Sequence, residues 1–229
     1  MKTIYLGIIA LISTSCTRIV FDTPQPADTQ PLTAFPTKYQ GSYMPEDDSP
    51  GILTISAHIV TIPDTRSKSF TLAELKNNPN IKMENGLLYD AELPELGGIP
   101  YTIQDSTLSY SYVSKLDTVG ISDTLVIKEM GSMLIASLNT AEDSMDVWDV
   151  MVLELADNGD LITASVGNLK TPDSSGGGQY DGSIEDFAKI APYKRLEEDT
   201  YLFSPDKHQF SKLVKKGLFS DRDTMPRMH

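Results

Sequence analysis

The stretch DVWDVMVLELADNGDLITASV, residues 146–166, constrains the fold more than any other part of the chain. It reads as two strands joined by the turn set Asp157-Asn158-Gly159-Asp160. In the first, Trp148, Val150 and Val152 share one face, and Val147, Met151, Leu153 and Leu155 share the other. A strand apolar on both faces needs cover on both sides, so it is predicted to lie centrally in a layered β structure.

Similar short runs lie on either side. KYQGSY opens a β region after Phe35, and ILTISAHIVTI alternates poorly but is rich in β-branched residues, as strands are. FTLAELKNNP reads as a short helix, with Thr71 as N-cap, Glu74 completing a capping box and Asn77-Asn78-Pro79 as the stop. Asn85-Gly86 marks a hairpin. GGIPYTIQDSTLSYSYV puts Leu108, Tyr110 and Tyr112 on one face, and DTLVIKEMGSMLIASLNT is two strands around Met130-Gly131-Ser132. The predicted fold is mainly β: an antiparallel meander, barrel or sandwich, of about 8–10 strands with turns every 8–12 residues.

Short helices are expected at the C-terminal end. SIEDFAKIAPYKRL and SPDKHQFSKLVKKGLF have helical character, the second with Ser204 as N-cap, Pro205 at the first helical position, and Phe210, Leu213, Val214 and Leu218 along one face. The last residues, DRDTMPRMH, are expected to fray. The domain plan is therefore a signal segment (1–15), a Pro-rich stalk (16–34), a β domain (35–170), a Gly/Ser loop (171–183) and a helical tail packed on the domain (184–229). Pro24, Pro26 and Pro31 among Thr, Gln and Asp define the stalk, which would span up to about 50 Å.

The signal segment has a basic start at Lys2, an apolar stretch Ile4–Ile12, and small residues Ser13, Thr14 and Ser15 ahead of Cys16. That order is secretory, and the run falls short of the roughly 20 apolar residues that cross a bilayer. The small-residue run ending in the chain's single cysteine resembles the lipobox of bacterial lipoproteins, with Ser13 where that family usually has a larger aliphatic residue. The resemblance implies cleavage before Cys16, a diacylglycerol group on its thiol and an acylated amino terminus. It also implies residence at the cell envelope, in the outer membrane of a Gram-negative bacterium. Several acyl chains anchor a protein firmly, at about 0.8 kcal/mol per buried CH₂. An ordinary cleaved signal with Cys16 as a bystander is the competing reading.

From residue 35 to 170 the layout is similar to that of lipocalin-like lipoproteins: a glycine-x-aromatic opening, Gly41 and Tyr43, then a meander of hairpins with a Trp-bearing strand. Tyr43 stands where lipocalins proper have Trp, and no residue is assigned to the Arg that closes over it.

Composition narrows the partners. The chain carries 19 basic and 32 acidic residues. Loss of Lys2 with the signal leaves 18 against 32, a balance of −14. Such a surface repels nucleic acid and anionic headgroups alike, leaving the lipid chains to hold the membrane. With Cys16 modified, no thiol remains for disulfide or metal work.

Chemistry-bearing motifs are few. His58 reads as a hydrogen-bonded core histidine; His208 and His229 stand alone, so a zinc site lacks its ligand spacing. No G-x-S-x-G elbow nominates a serine, and GGGQ (176–179) lacks the Lys-Ser/Thr of a phosphate loop. Carboxylates abound at 46–48, 142–143, 157–160 and 197–199. DNGD offers oxygen ligands but not the calcium-loop spacing. No cofactor or metal is expected. Tyr101, Tyr110, Tyr112 and Trp148 are the candidate binding residues, since rings with polar tips suit a concave face. Two functions follow: a non-enzymatic, membrane-tethered module binding an apolar or glycan ligand or an envelope protein, or an envelope hydrolase using paired carboxylates.

Overall fold

The computed structural model describes residues 17–45, 50–140, 145–167, 169–170, 181–197 and 199–228. Cys16 and the signal segment, the acidic runs at 46–48 and 142–143, the Gly/Ser loop up to residue 180, Glu198 and His229 lie outside the described residues. The first strands are β1 (Arg18–Phe21), β2 (Gly41–Tyr43), β3 (Leu53–Ile55) and β4 (Ile59–Thr71), followed by β5 (Ile81–Glu84), β6 (Leu87–Asp90), β7 (Thr102–Gln104) and β8 (Thr107–Gly120). Then come β9 (Leu125–Met130), β10 (Met133–Asn139), β11 (Trp148–Leu155), β12 (Leu161–Ser165), β13 (Leu169–Lys170) and β14 (Gly182–Ser183). The last three are β15 (Tyr193–Arg195), β16 (Thr200–Phe203) and β17 (Asp221–Met225).

The main sheet has eight strands and forks at β11. One branch runs β9-β10-β11-β1-β16-β15; the other leaves the far end of β11 through β12 to β17. β11 is the central strand its two apolar faces require. Trp148, Val150 and Val152 enter a cluster with Phe21, Phe203 and Phe210, whereas Met151, Leu153 and Leu155 enter a second with Ile127, Leu161 and Met225. The first lies under the helices Ile184–Ala188 and Lys207–Lys216, which supply Phe187, Phe210 and Leu213. The second fills the concave face of a curled half-barrel, completed by the sheet β2-β3-β4-β8-β7.

The turn chemistry follows the sequence closely. Asn85 and Gly86 both take positive φ between β5 and β6, Gly131 does so between β9 and β10, and Gly159 between β11 and β12. Thr71 and Glu74 make the expected capping box, although the helix runs only Leu72–Leu75. ILTISAHIVTI alternates poorly because it holds two strands, with a turn at 56–58 between β3 and β4.

Four expectations are corrected. Residues 17–34 are no free stalk: β1 pairs in parallel with β16 and meets β11 at Phe21↔Trp148, with Val20 and Phe21 fully buried. Burying Ile19, Val20 and Phe21 stabilises by about 2 kcal/mol each, which outweighs the polar composition around them. Beyond β1, Lys128 Nζ donates to Pro24 O at 2.6 Å and Pro26 O at 2.9 Å, so the prolines wrap the body. The C-terminal tail is part sheet, not only helix, because β15, β16 and β17 are built from it. The end does not fray: β17 pairs β12 over five residues, and Met228 N donates to Ser42 O. The second helix is capped by Asp206, whose side chain accepts from Gln209 N while Gln209 caps in return; Ser204 and Pro205 lie outside it.

β4 and β8 form a ribbon of 13 and 14 residues, about 40 Å long at roughly 3.3 Å per residue. Residues 72–106, inserted at its far end, bring a small third cluster around Leu88, Ile99, Leu108 and Tyr110.

Candidate functional site

The concave face of the half-barrel holds a cavity of about 140 Å³. Aliphatic side chains from seven strands line it, among them Ile55, Val60, Val119, Ile127, Leu138 and Leu161. Alternation builds this wall: Leu161, Thr163 and Ser165 face the cavity from β12, and Met225, Asp223 and Asp221 face it from β17. The register pairs Leu161 with Met225, Thr163 with Asp223 and Ser165 with Asp221, so the apolar residues gather at one end and the polar ones at the other. Phe35, the first residue past the segment expected to be a stalk, adds an aromatic wall. That segment is held across the side where β8 and β9 share no ladder, by Leu32 N donating to Ile127 O and Phe35 N to Ala57 O.

The polar end is ordered by defined contacts. Arg18 Nη2 donates to Asp149 Oδ2 at 2.8 Å and to Thr140 Oγ1 at 3.1 Å, placing a cation against the buried cavity acid. Ser165 Oγ donates to Asp221 Oδ2 at 3.0 Å. Thr163, only 7% exposed, has no hydrogen-bond partner for its hydroxyl among the described residues.

The opposite end is closed by a clamp on the G-x-aromatic motif. The Arg227 guanidinium lies 5.9 Å over the Tyr43 ring and donates to Lys38 O and Gln40 O. Gly41 admits this approach, since a Cβ there would meet Arg227 Nε at 3.0 Å. Tyr43 is fully buried and its hydroxyl donates to Tyr39 O at 2.7 Å; burial pushes its pKa up, against the opposing pull of Arg227. The Asp160 carboxylate of the DNGD turn is engaged too, accepting from Arg227 N and Asn158 Nδ2. No group of three or more His, Cys, Asp or Glu among the described residues is placed to hold a metal.

The four aromatic candidates do not form one site. Tyr101, Tyr110 and Tyr112 meet in the third cluster, while Trp148 belongs to the first, beneath the helices. Tyr110 is committed to the structure: its hydroxyl donates to Asp90 Oδ2 at 2.6 Å, and Lys68 Nζ donates to Asp90 and Glu92, each at 2.9 Å. Burial and the bond to Asp90 raise the Tyr110 pKa, and the two carboxylates raise that of Lys68. Burial pushes Asp90 up, yet the donors Tyr110, Lys68 and Glu92 N prevail and hold it low. His58 is hydrogen-bonded, Nδ1 to Thr33 O at 2.9 Å, but in an exposed turn and not in the core.

Reasoning from sequence passed over Arg18, Asp149, Thr163, Asp221 and Arg227. The period-2 pattern Leu161-x-Thr163-x-Ser165 was the available signal, a strand face turning from apolar to hydroxyl along its length. No family model matches the chain, nor does any curated protein or solved structure.

Proposed function

We propose that this chain is a non-enzymatic binding module that holds a small apolar ligand in the half-barrel cavity and is tethered to the cell envelope through lipid on Cys16. The observation that carries the binding reading is the cavity: an aliphatic wall drawn from many strands, with polar groups confined to one end, is the usual form of a small-molecule site. At about 140 Å³ it matches a space that takes a benzene-sized group, so a ring or short chain enters and the rest of a larger ligand projects from the polar end. In the lipocalin-like reading, Arg227, 5.9 Å over the Tyr43 ring, would take the place of the closing Arg.

The tether would be short. Thr17 is buried, its Oγ1 donating to Leu169 O at 2.9 Å, and Arg18 N donates to Asp199 O at 2.7 Å. A lipid on Cys16 therefore joins strand β1 with no spacer, and the domain rests against the bilayer. The hydrolase alternative draws on Asp149, Asp221 and Asp223, which share the cavity. Arg18 occupies the first and Ser165 the second, which favours binding over catalysis.

Mass spectrometry of protein purified from its native membrane tests both parts. Under denaturing conditions, a diacyl or triacyl increment on Cys16 supports the tether; a chain beginning at residue 16 without lipid, or an uncut chain, rejects it. Under native conditions, a small adduct supports the binding reading and identifies the ligand. Failure of the emptied protein to bind any apolar probe rejects it.

A further inference from the structure

The polar end of the cavity also discriminates between ligand heads. We infer that the site takes an amphiphile with a protonated amine head, its apolar part among Leu153, Leu161 and Met225 and its ammonium against Asp221 and Thr163. This rests on the binding reading above.

Three observations meet here. Asp149 and Asp221 both line the cavity, but only Asp149 has a cation, Arg18, at 2.8 Å. Asp221 is exposed at the cavity's polar end, accepts from the neutral Ser165 hydroxyl and has no cation paired with it among the described residues, so it can receive a cationic head. Thr163 lines the same wall, opposite Leu153 and Asp223 in the ladders, is 7% exposed and has no hydrogen-bond partner for its hydroxyl among the described residues. Thr163 lines the cavity, where a ligand group can bond to that hydroxyl. An ammonium supplies three donors, enough for Thr163 Oγ1 and a carboxylate oxygen together. A carboxylate head would meet Asp221 with like charge and no compensating cation, since Arg18 is already engaged.

The geometry predicts an order among probes that share one tail. Octylamine, 1-octanol and octanoate are titrated calorimetrically into delipidated protein at pH 7 and low salt. Octylamine is expected to bind about tenfold more tightly than octanoate, with octanol between, since an exposed charge contact contributes up to about 1 kcal/mol each way. Asp221→Asn, which keeps an oxygen to accept from Ser165, should bring amine and carboxylate within about twofold. On the unaltered protein, raising salt from 20 mM to 500 mM should shrink the amine preference severalfold, a readout independent of whether the variant folds. If octanol binds while octanoate equals or exceeds octylamine, the head-group inference is wrong and the apolar cavity stands. If none of the three binds, the binding reading fails and the inference with it.

Discussion

Arg18 and Asp149 form a 2.8 Å ion pair that joins the N-terminal strand to the wall of the cavity. Asp149 is 5% exposed, so its charge depends on this cation. Arg18→Ala should lower stability in urea denaturation by about 2 kcal/mol, below the roughly 3–5 for a fully buried pair because Arg18 keeps some water contact. Unchanged stability would show that Asp149 finds water or another donor.

Phe21→Ala tests whether the N-terminal segment belongs to the core. The ring sits 5.8 Å from Phe210 at 75° and 6.4 Å from Phe219, stacked. Its loss should cost about 3–5 kcal/mol, as expected for emptying a closed aromatic site. A stalk residue would cost nothing measurable.

Asp90, Lys68 and Tyr110 set opposite pH limits on the tip of the β4–β8 ribbon. Asp90 is held below the ordinary aspartate range, so its stabilisation is complete above about pH 4 and is lost as pH falls through the lower folded-state value. Lys68 is held above the ordinary lysine range, so its contribution is complete below about pH 10 and is lost as pH rises through the higher folded-state value. Amide exchange at Leu87–Asp90 should quicken at both extremes before the fluorescence of Trp148, in the main sheet, changes. Asp90→Asn should abolish the acid limb and weaken the tip by about 2 kcal/mol.

Arg227→Ala should remove the Tyr43 stacking and two hydrogen bonds to carbonyls at once. A loss of about 1–2 kcal/mol is expected by thermal or urea unfolding. Arg227→Lys should recover little of it, since an ammonium lacks the planar fork that spans Lys38 O and Gln40 O while covering the ring.

Ala136→Leu should fill part of the cavity. Ala136 lines it from β10, and the added carbons displace the space a ligand needs. Binding of octyl probes should fall at least tenfold, while far-ultraviolet circular dichroism stays unchanged. Undiminished binding would place the ligand elsewhere.

The strands and turns were legible because their signals are local. DNGD, NG and MGS each turn a hairpin, and the two apolar faces of Trp148–Leu155 required a central strand. The role of Arg18–Phe21 was not legible. Four residues amid prolines have no period to read, and their burial depends on Thr200–Phe203, far along the chain. The same holds for the cavity. Asp221 acquires its meaning only beside Ser165, a pairing fixed by the β12–β17 ladder and not by either residue's neighbours. Aromatic residues misled because Tyr110 serves a buried hydrogen-bond network, which a strand pattern does not distinguish from a binding face.

The parallel pairing of Arg18–Phe21 with Thr200–Phe203 fixes an order of events during biosynthesis. The first strand has its parallel neighbour only after almost the whole polypeptide has been made, and Tyr43 must wait as long for Arg227. The ribbon Ile59–Gly120 and its inserted tip are contiguous and form early, as local structure does. A chain exported while unfolded would therefore keep Phe21 uncovered until translocation ends. A ribosome stalled with residue 200 still in the tunnel should present a folded ribbon on an open main sheet, exposed to chaperones and proteases.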